Sequence, residues 1–306
     1  MFSLGRAFPS RAGASDRRGL FDRERRGLLY LGPLMDRAMP MIETEDLCGG
    51  YGDGFVIRDI SLAVEPGEFV AFLGRNGSGK STLLRALQNL LPERGGSVKL
   101  AGREISGLGP RELARELAYV PQLADPVFDF SVEEVVAMGR FARTKRLAPL
   151  SAEDRAAVGG ALEAAGLASL RAKPLASLSG GERQRVFIAR ALAQDAPVLL
   201  LDEPSLHLDI NFQVEVYGML KRLQTEKGRT ILAAEHNINL AAGYADRLVF
   251  LKDGKVEAGG TPRECLSRDL VRRVFGAEVE IRENASTGLP EISLVHGKRP
   301  GPRGGF

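Results

Sequence analysis

The residues with the plainest chemistry are the nine from 74 to 82, Gly74-Arg75-Asn76-Gly77-Ser78-Gly79-Lys80-Ser81-Thr82. They fit G-x-x-x-x-G-K-[ST], in which glycines let backbone N–H groups curl around phosphate oxygens while Lys80 reaches the terminal phosphates. Ser81 would then hold Mg²⁺ through its hydroxyl. A second glycine-rich entry to a helix, Leu178-Ser179-Gly180-Gly181-Glu182, supplies another helix N-terminus suited to an anion. Between that helix and the next turn, Val198-Leu199-Leu200-Leu201 ends in Asp202-Glu203, a pair of acids at the tip of an apolar run. Acids in that place read as a metal and catalytic edge rather than as simple helix caps. His236, one of three histidines, closes a similar run, Thr230-Ile231-Leu232-Ala233-Ala234-Glu235.

Such groups work only if the chain brings them together. The stretch before the phosphate loop, Glu68-Phe69-Val70-Ala71-Phe72-Leu73, is a short strand-like run, and residues 81–91 have helical spacing up to Pro92. Strand, loop and helix in that order set a helix N-terminus against the phosphates, where orphan N–H donors and the helix dipole favour an anion. The run 198–201, apolar on both faces, predicts a buried central parallel strand. Around these lie an alternating pair of segments, 42–48 and 55–62, joined by a Gly-Gly-Tyr-Gly turn. Tyr51 in that turn reads, on this fact alone, as a hairpin cap. A strand at 97–100, a helix at 110–117 and a strand at 118–122 come next, with Gln122 opening an irregular stretch. Ser131-Val132-Glu133-Glu134 and Ser151-Ala152-Glu153-Asp154 are capping-box starts. They open a helical block, about residues 123–190, that should form its own subdomain. A helix from 210 to about 223, a hairpin around Asp253-Gly254 and a helical stretch at 261–275 follow. The fold class is α/β, with a phosphate-loop core around a parallel sheet, an antiparallel β subdomain and a helical subdomain.

The 306 residues are 44% hydrophobic and 26% charged, enough to bury a real core. No run approaches the roughly 20 apolar residues that cross a bilayer, so a membrane connection would come through a partner. Cys48 and Cys265 are the only cysteines, which excludes a disulfide framework and fits a reducing compartment. Residues 1–40 hold eight arginines against four acids, so the net charge of +3 leaves the remainder nearly neutral. A nearly neutral body argues against nucleic acid as a partner. The first 40 residues have no apolar period and read as a disordered basic extension. A basic arm and a targeting segment are open readings of it; with Met39 and Met41 just before the first strand, a mis-assigned start is a simpler one. Residues 41–283 form the predicted domain and 284–306 a tail.

Taken together, these residues resemble the ATP-binding cassette family over roughly residues 42–283, with the family's motifs in the family's order. The resemblance implies that Tyr51 stacks on adenine. It implies that residues Gly74, Arg75, Asn76, Gly77, Ser78, Gly79, Lys80, Ser81 and Thr82 bind the phosphates, and that Ser81, Gln122 and Asp202 hold Mg²⁺. Glu203 would deprotonate the attacking water, His236 would position it against the γ-phosphate, and Lys80 would offset developing charge. Ser179, Gly180, Gly181 and Glu182 would close over the ATP of a second copy in a head-to-tail homodimer. Two departures stand out: Leu206, where a small polar residue is usual, and Asn237, where Asp is usual. Neither removes a catalytic group, so an active ATPase is expected.

The finer resemblance is to ATPase subunits of importers for iron-siderophore, haem and cobalamin complexes. It rests on the stretches 129–140, His207-Leu208-Asp209-Ile210 and 239–248. It implies integral membrane permease subunits as partners, a substrate-binding protein indirectly, and a peripheral place on the cytoplasmic face of the inner membrane. The segment from Asp125 to Phe130 would dock the permease, coupled to the site through Gln122. A non-transport cassette ATPase, for example of the iron-sulfur assembly type, is the alternative.

Overall fold

A computed structural model of the chain describes residues 39–295 apart from 53, 123–129, 146–147 and 207. The basic extension up to residue 38, most of the expected docking segment, His207 and the end of the tail therefore lie outside the described residues.

The chain opens with the expected hairpin, β1 (Ile42–Tyr51) and β2 (Gly54–Val64). Next come β3 (Phe69–Leu73), the phosphate loop and α1 (Lys80–Ala86). The helix is shorter than its spacing predicts. After Ala86 the chain turns, and the left-handed Asn89 at φ 57° takes it out of the helical path before Pro92. β4 (Glu93–Leu100) and the short β5 (Arg103–Glu104) return to the first hairpin, and β4 begins four residues earlier than the sequence predicts. Then α2 (Pro110–Glu116), with proline at its first position, leads into β6 (Leu117–Val120).

The helical block contains α3 (Val132–Ala137), α4 (Ala152–Ala164) and α5 (Gly180–Gln194). Both predicted capping boxes form: the Ser131 and Ser151 hydroxyls accept from the N–H groups of Glu134 and Asp154, whose carboxylates reach back. The second half continues with β7 (Val198–Asp202), α6 (Ile210–Lys227) and β8 (Thr230–Glu235). It is completed by α7 (Ile238–Tyr244), β9 (Arg247–Lys252) and β10 (Lys255–Gly260). The predicted helix at 261–275 is two helices, α8 (Pro262–Cys265) and α9 (Arg268–Phe275). Ser267 breaks it by capping the second, its hydroxyl accepting from Leu270 N–H at 3.3 Å. A last hairpin pairs β11 (Val279–Glu283) with β12 (Pro290–Leu294), placing a strand in a stretch that reads from sequence as tail.

The main sheet has the order β10-β9-β3-β8-β7-β6, parallel except for β10 at its edge. The second sheet, β2-β1-β4-β5, is antiparallel throughout. Strand side chains alternate between faces, and both faces of the main sheet are covered. Phe69, Ala71 and Leu73 point with Leu199, Leu201, Ile231 and Ala233 into a core shared with the helical block. Val70, Phe72, Leu200 and Leu232 point the other way, against α1 and the antiparallel sheet. This burial on both faces explains why β3, β7 and β8 read as continuous apolar runs. It also brings the C-terminal ends of β3, β6, β7 and β8 to one edge, and every expected reacting group but Lys80 and Ser81 hangs from that edge or just beyond it.

Candidate active site

The phosphate loop closes directly after β3. Lys80, only 5% exposed, donates from Nζ to the carbonyls of Gly74 at 2.8 Å and Arg75 at 3.3 Å, so its ammonium lies folded over the loop. Burial lowers its pKa, and the charges of Glu203, Asp202 and Glu235 oppose that shift. Gly79 precedes α1 at φ 102°, and a Cβ there would stand 2.7 Å from Ile57 Cγ2. No side chain caps this helix start, and the buried Ser78 hydroxyl has no hydrogen-bond partner. A buried orphan hydroxyl beside an uncapped helix start fits a phosphate as its missing partner.

Ser81 Oγ donates to Asp202 Oδ1 at 2.8 Å. Asp202 is also held by Tyr119, whose hydroxyl donates to Oδ2 at 3.1 Å and whose pKa is pushed up to about 12, first by burial and then by that carboxylate. A hydroxyl and a carboxylate in contact, with the Gln122 amide close by, make the all-oxygen donor set that suits Mg²⁺. Glu203 begins the turn beyond β7 at φ 52°, an uncommon backbone state for a side chain of this kind. Its carboxylate accepts from Gln122 Nε2 at 3.1 Å on one oxygen, and His236 Nε2 meets the other. Sequence positions 122, 203 and 236 thus converge on one carboxylate.

A cavity of about 480 Å³ runs from Asn76–Thr82 to Gln122, Glu203, Leu206 and His236. Leu206 supplies an apolar wall to it. Arg75 is not part of that wall; it lines a separate hollow of about 320 Å³ behind the loop, beside Asp253 and Arg273. Tyr51 also lies outside the phosphate cavity, 44% exposed at the end of β1, where its hydroxyl accepts from Arg85 at 2.8 Å. Residues Ser179 to Glu182 line neither hollow. Ser179 caps α5, its hydroxyl accepting from Glu182 N–H at 3.3 Å, while the Glu182 carboxylate accepts from Ser179 N–H at 2.8 Å. Those bonds, the backbone one first, hold the Glu182 carboxyl below the usual range. Gly181 packs against the ring of Phe212, where a Cβ would come within 2.7 Å, so α6 and the start of α5 touch through a glycine. Asn237 turns out to cap α7, its side chain accepting from Leu240 N–H at 3.1 Å, a task Asp performs equally well.

Tyr119 and Glu235 are the residues that sequence reasoning missed. For Glu235 a signal was present, an acid closing a run that is otherwise wholly apolar. For Tyr119 none was, because its partner is 83 residues away and meets it only through the pairing of β6 with β7.

A parallel sheet with a phosphate loop at one strand tip, a carboxylate pair at a second and a histidine at a third defines a P-loop ATPase of the cassette type. A family model described as ABC transporter matches residues 57–206. The "Probable siderophore transport system ATP-binding protein YusV" of Bacillus subtilis (strain 168) is 41% identical over 260 residues, spanning 85% of this chain and 94% of that protein. The cobalamin import ATP-binding protein BtuD of Halobacterium salinarum is 42% identical over 238 residues, covering 78% of this chain and 59% of that one. Among solved structures, a dimeric ATP-binding cassette in a post-hydrolysis state, bound to ADP and Pi, superposes with a TM-score of 0.63 at 30% identity, over 72% of this chain and 98% of that one. The chain belongs to the ATP-binding cassette family, as a transport-coupled ATPase subunit. Among its described residues no helix is long and apolar enough to cross a membrane.

Proposed function

We propose that this chain is the ATP-hydrolysing subunit of an importer for iron-siderophore, haem or cobalamin complexes, working as a head-to-tail pair beneath a separate membrane permease. The named relatives support the siderophore and cobalamin part of that class, and haem rests on the resemblance alone. What carries the catalytic reading is the meeting of Lys80, Ser81, Glu203, Gln122 and His236 around one cavity, with Asp202 held behind Ser81, while Ser179 to Glu182 stand outside it. A site lacking its anion-binding serine corner is half a site, and a second copy reversed end to end would complete it.

ATP entering the cavity displaces Lys80 from the Gly74 and Arg75 carbonyls, and its ammonium exchanges them for β- and γ-phosphate oxygens. Ser81, Asp202 and Gln122 are the residues that would hold Mg²⁺, which when bound neutralises charge on those oxygens. Glu203 then takes the proton of the attacking water. His236, released from that carboxylate, donates to the γ-phosphate and holds the water in line. Hydrolysis leaves two anionic products between the copies, and their repulsion parts the pair. Gln122, at the start of the segment toward the permease, carries the change outward.

The test is Glu203→Gln, which keeps the shape and removes the base. Turnover should fall by about a thousandfold, and light scattering should find a stable dimer with ATP that disperses when ATP is withdrawn. A Glu203→Gln protein that hydrolyses normally, or stays monomeric with saturating ATP, contradicts the reading.

A further inference from the structure

The scheme leaves unused a buried acid that adjoins the site. Glu235, the last residue of β8, is 1% exposed, and its carboxylate collects four donors. Oε1 accepts from the hydroxyl of Tyr217 on α6. Oε2 accepts from Ser205 Oγ at 3.0 Å, His236 N–H at 3.0 Å and Asn237 N–H at 3.4 Å. A carboxylate without partners at such depth would be strongly destabilising, and four charge-assisted bonds offset that cost.

The identity of the donors separates this network from a general structural staple. Two are the backbone N–H groups of His236 and its neighbour, and a third belongs to the second residue after Glu203. One carboxylate thus grips the chain on both sides of the contact between the Glu203 carboxylate and the His236 ring. Next to Ser205 is Leu206, which walls the nucleotide cavity, so the same grip reaches the loop that borders the nucleotide.

We propose that Glu235 is a positioning residue for ATP hydrolysis: it locks the His236 turn and the turn after Glu203 into one unit, so that the two catalytic side chains keep their mutual register. This inference rests on the roles proposed above for Glu203 and His236. Tyr217, wholly buried beneath, anchors that unit to α6.

The variants follow from the donor pattern. In Glu235→Gln the amide oxygen takes the place of Oε2 and accepts from Ser205 and His236. The amide nitrogen donates to the Tyr217 oxygen, whose hydroxyl can turn, so kcat should stay within about twofold of the parent. Glu235→Leu keeps the bulk but leaves both backbone N–H groups and both hydroxyls unpaired. Its kcat should fall at least about tenfold while KM for ATP moves by less than about threefold, the pattern of a displaced catalytic pair. Should Glu235→Leu fail to fold, Ser205→Ala removes one donor from the far loop, and kcat should fall about threefold at unchanged ATP affinity. A folded Glu235→Leu or Ser205→Ala with parental kcat overturns the proposal, as does a Glu235→Gln as slow as Glu235→Leu. Glu203→Gln and His236→Ala run beside them: if both stop turnover while Glu235→Leu does not, this inference alone falls. If they leave turnover intact, the reading beneath it falls as well.

Discussion

Glu203 sits in the left-handed backbone region at φ 52°, a state that a non-glycine residue adopts only when its surroundings impose it. The imposing bond is from Glu203 N–H to the Ala234 carbonyl at 3.1 Å, which ties the tip of β7 to β8. At the opposite wall the constraint is steric. Gly79 combines φ 102° with Ile57 Cγ2 only 2.7 Å from where a Cβ would stand. Gly79→Ala should therefore displace the loop and weaken ATP binding by about tenfold or more, while the fold persists; titration with a fluorescent nucleotide measures it. Lys80→Ala should abolish turnover and leave thermal stability near that of the parent, because the ammonium bonds only to carbonyls of its own loop. A steady-state phosphate-release assay checks the first half and a thermal melt the second.

Among elements, the helical block depends on one buried pair. Arg140 Nε donates to Asp154 Oδ1 at 2.8 Å, Arg140 also donates to the Ala193 carbonyl at 2.8 Å, and Asp154 closes the Ser151 capping box. The pair stitches the start of α4 to the end of α5. Its burial is what matters: a surface pair such as Arg272 with Glu278, each 70% exposed, contributes at most about 1 kcal/mol. Removing one partner of a buried pair costs about 3 kcal/mol or more. Asp154→Ala should lower unfolding stability by about that much in urea titration. The carboxyl of Asp154 is held down to about 2, by the Ser151 hydroxyl first and by Arg140 next. A depressed carboxylate stabilises the fold above its unfolded pKa, so this contribution is complete above about pH 4 and lost as pH falls toward 2. Acid titration of the parent and of Asp154→Ala should converge in that window.

For the whole molecule, the C-terminal hairpin is the feature that folds back against α7 and α9. Asn239 on α7 donates to the Ile292 carbonyl at 3.0 Å and accepts from Ile292 N–H at 2.7 Å, acting as a strand edge for β12. Truncation after Asn284 should lower the melting temperature by about 2–4 °C and leave phosphate release intact, since nothing in the hairpin approaches the cavity. This hairpin also marks where sequence reading runs out. Helix starts are local events, legible at Ser131 and Ser151 because cap and carboxylate lie three residues apart. The buried strands are legible because both faces are covered. β12 is only five residues long, with Ile292 and Leu294 its clear apolar residues and Leu294 exposed, and it takes its place from a side chain 53 positions earlier. The grip of Tyr119 on Asp202 and that of Glu235 on the turns beside Glu203 likewise arise from sheet register, which no window of sequence contains. That register has one more effect. Both oxygens of Glu203 already have a side-chain neighbour, Gln122 on one and His236 on the other, so a water reaching the proposed base would share it with both.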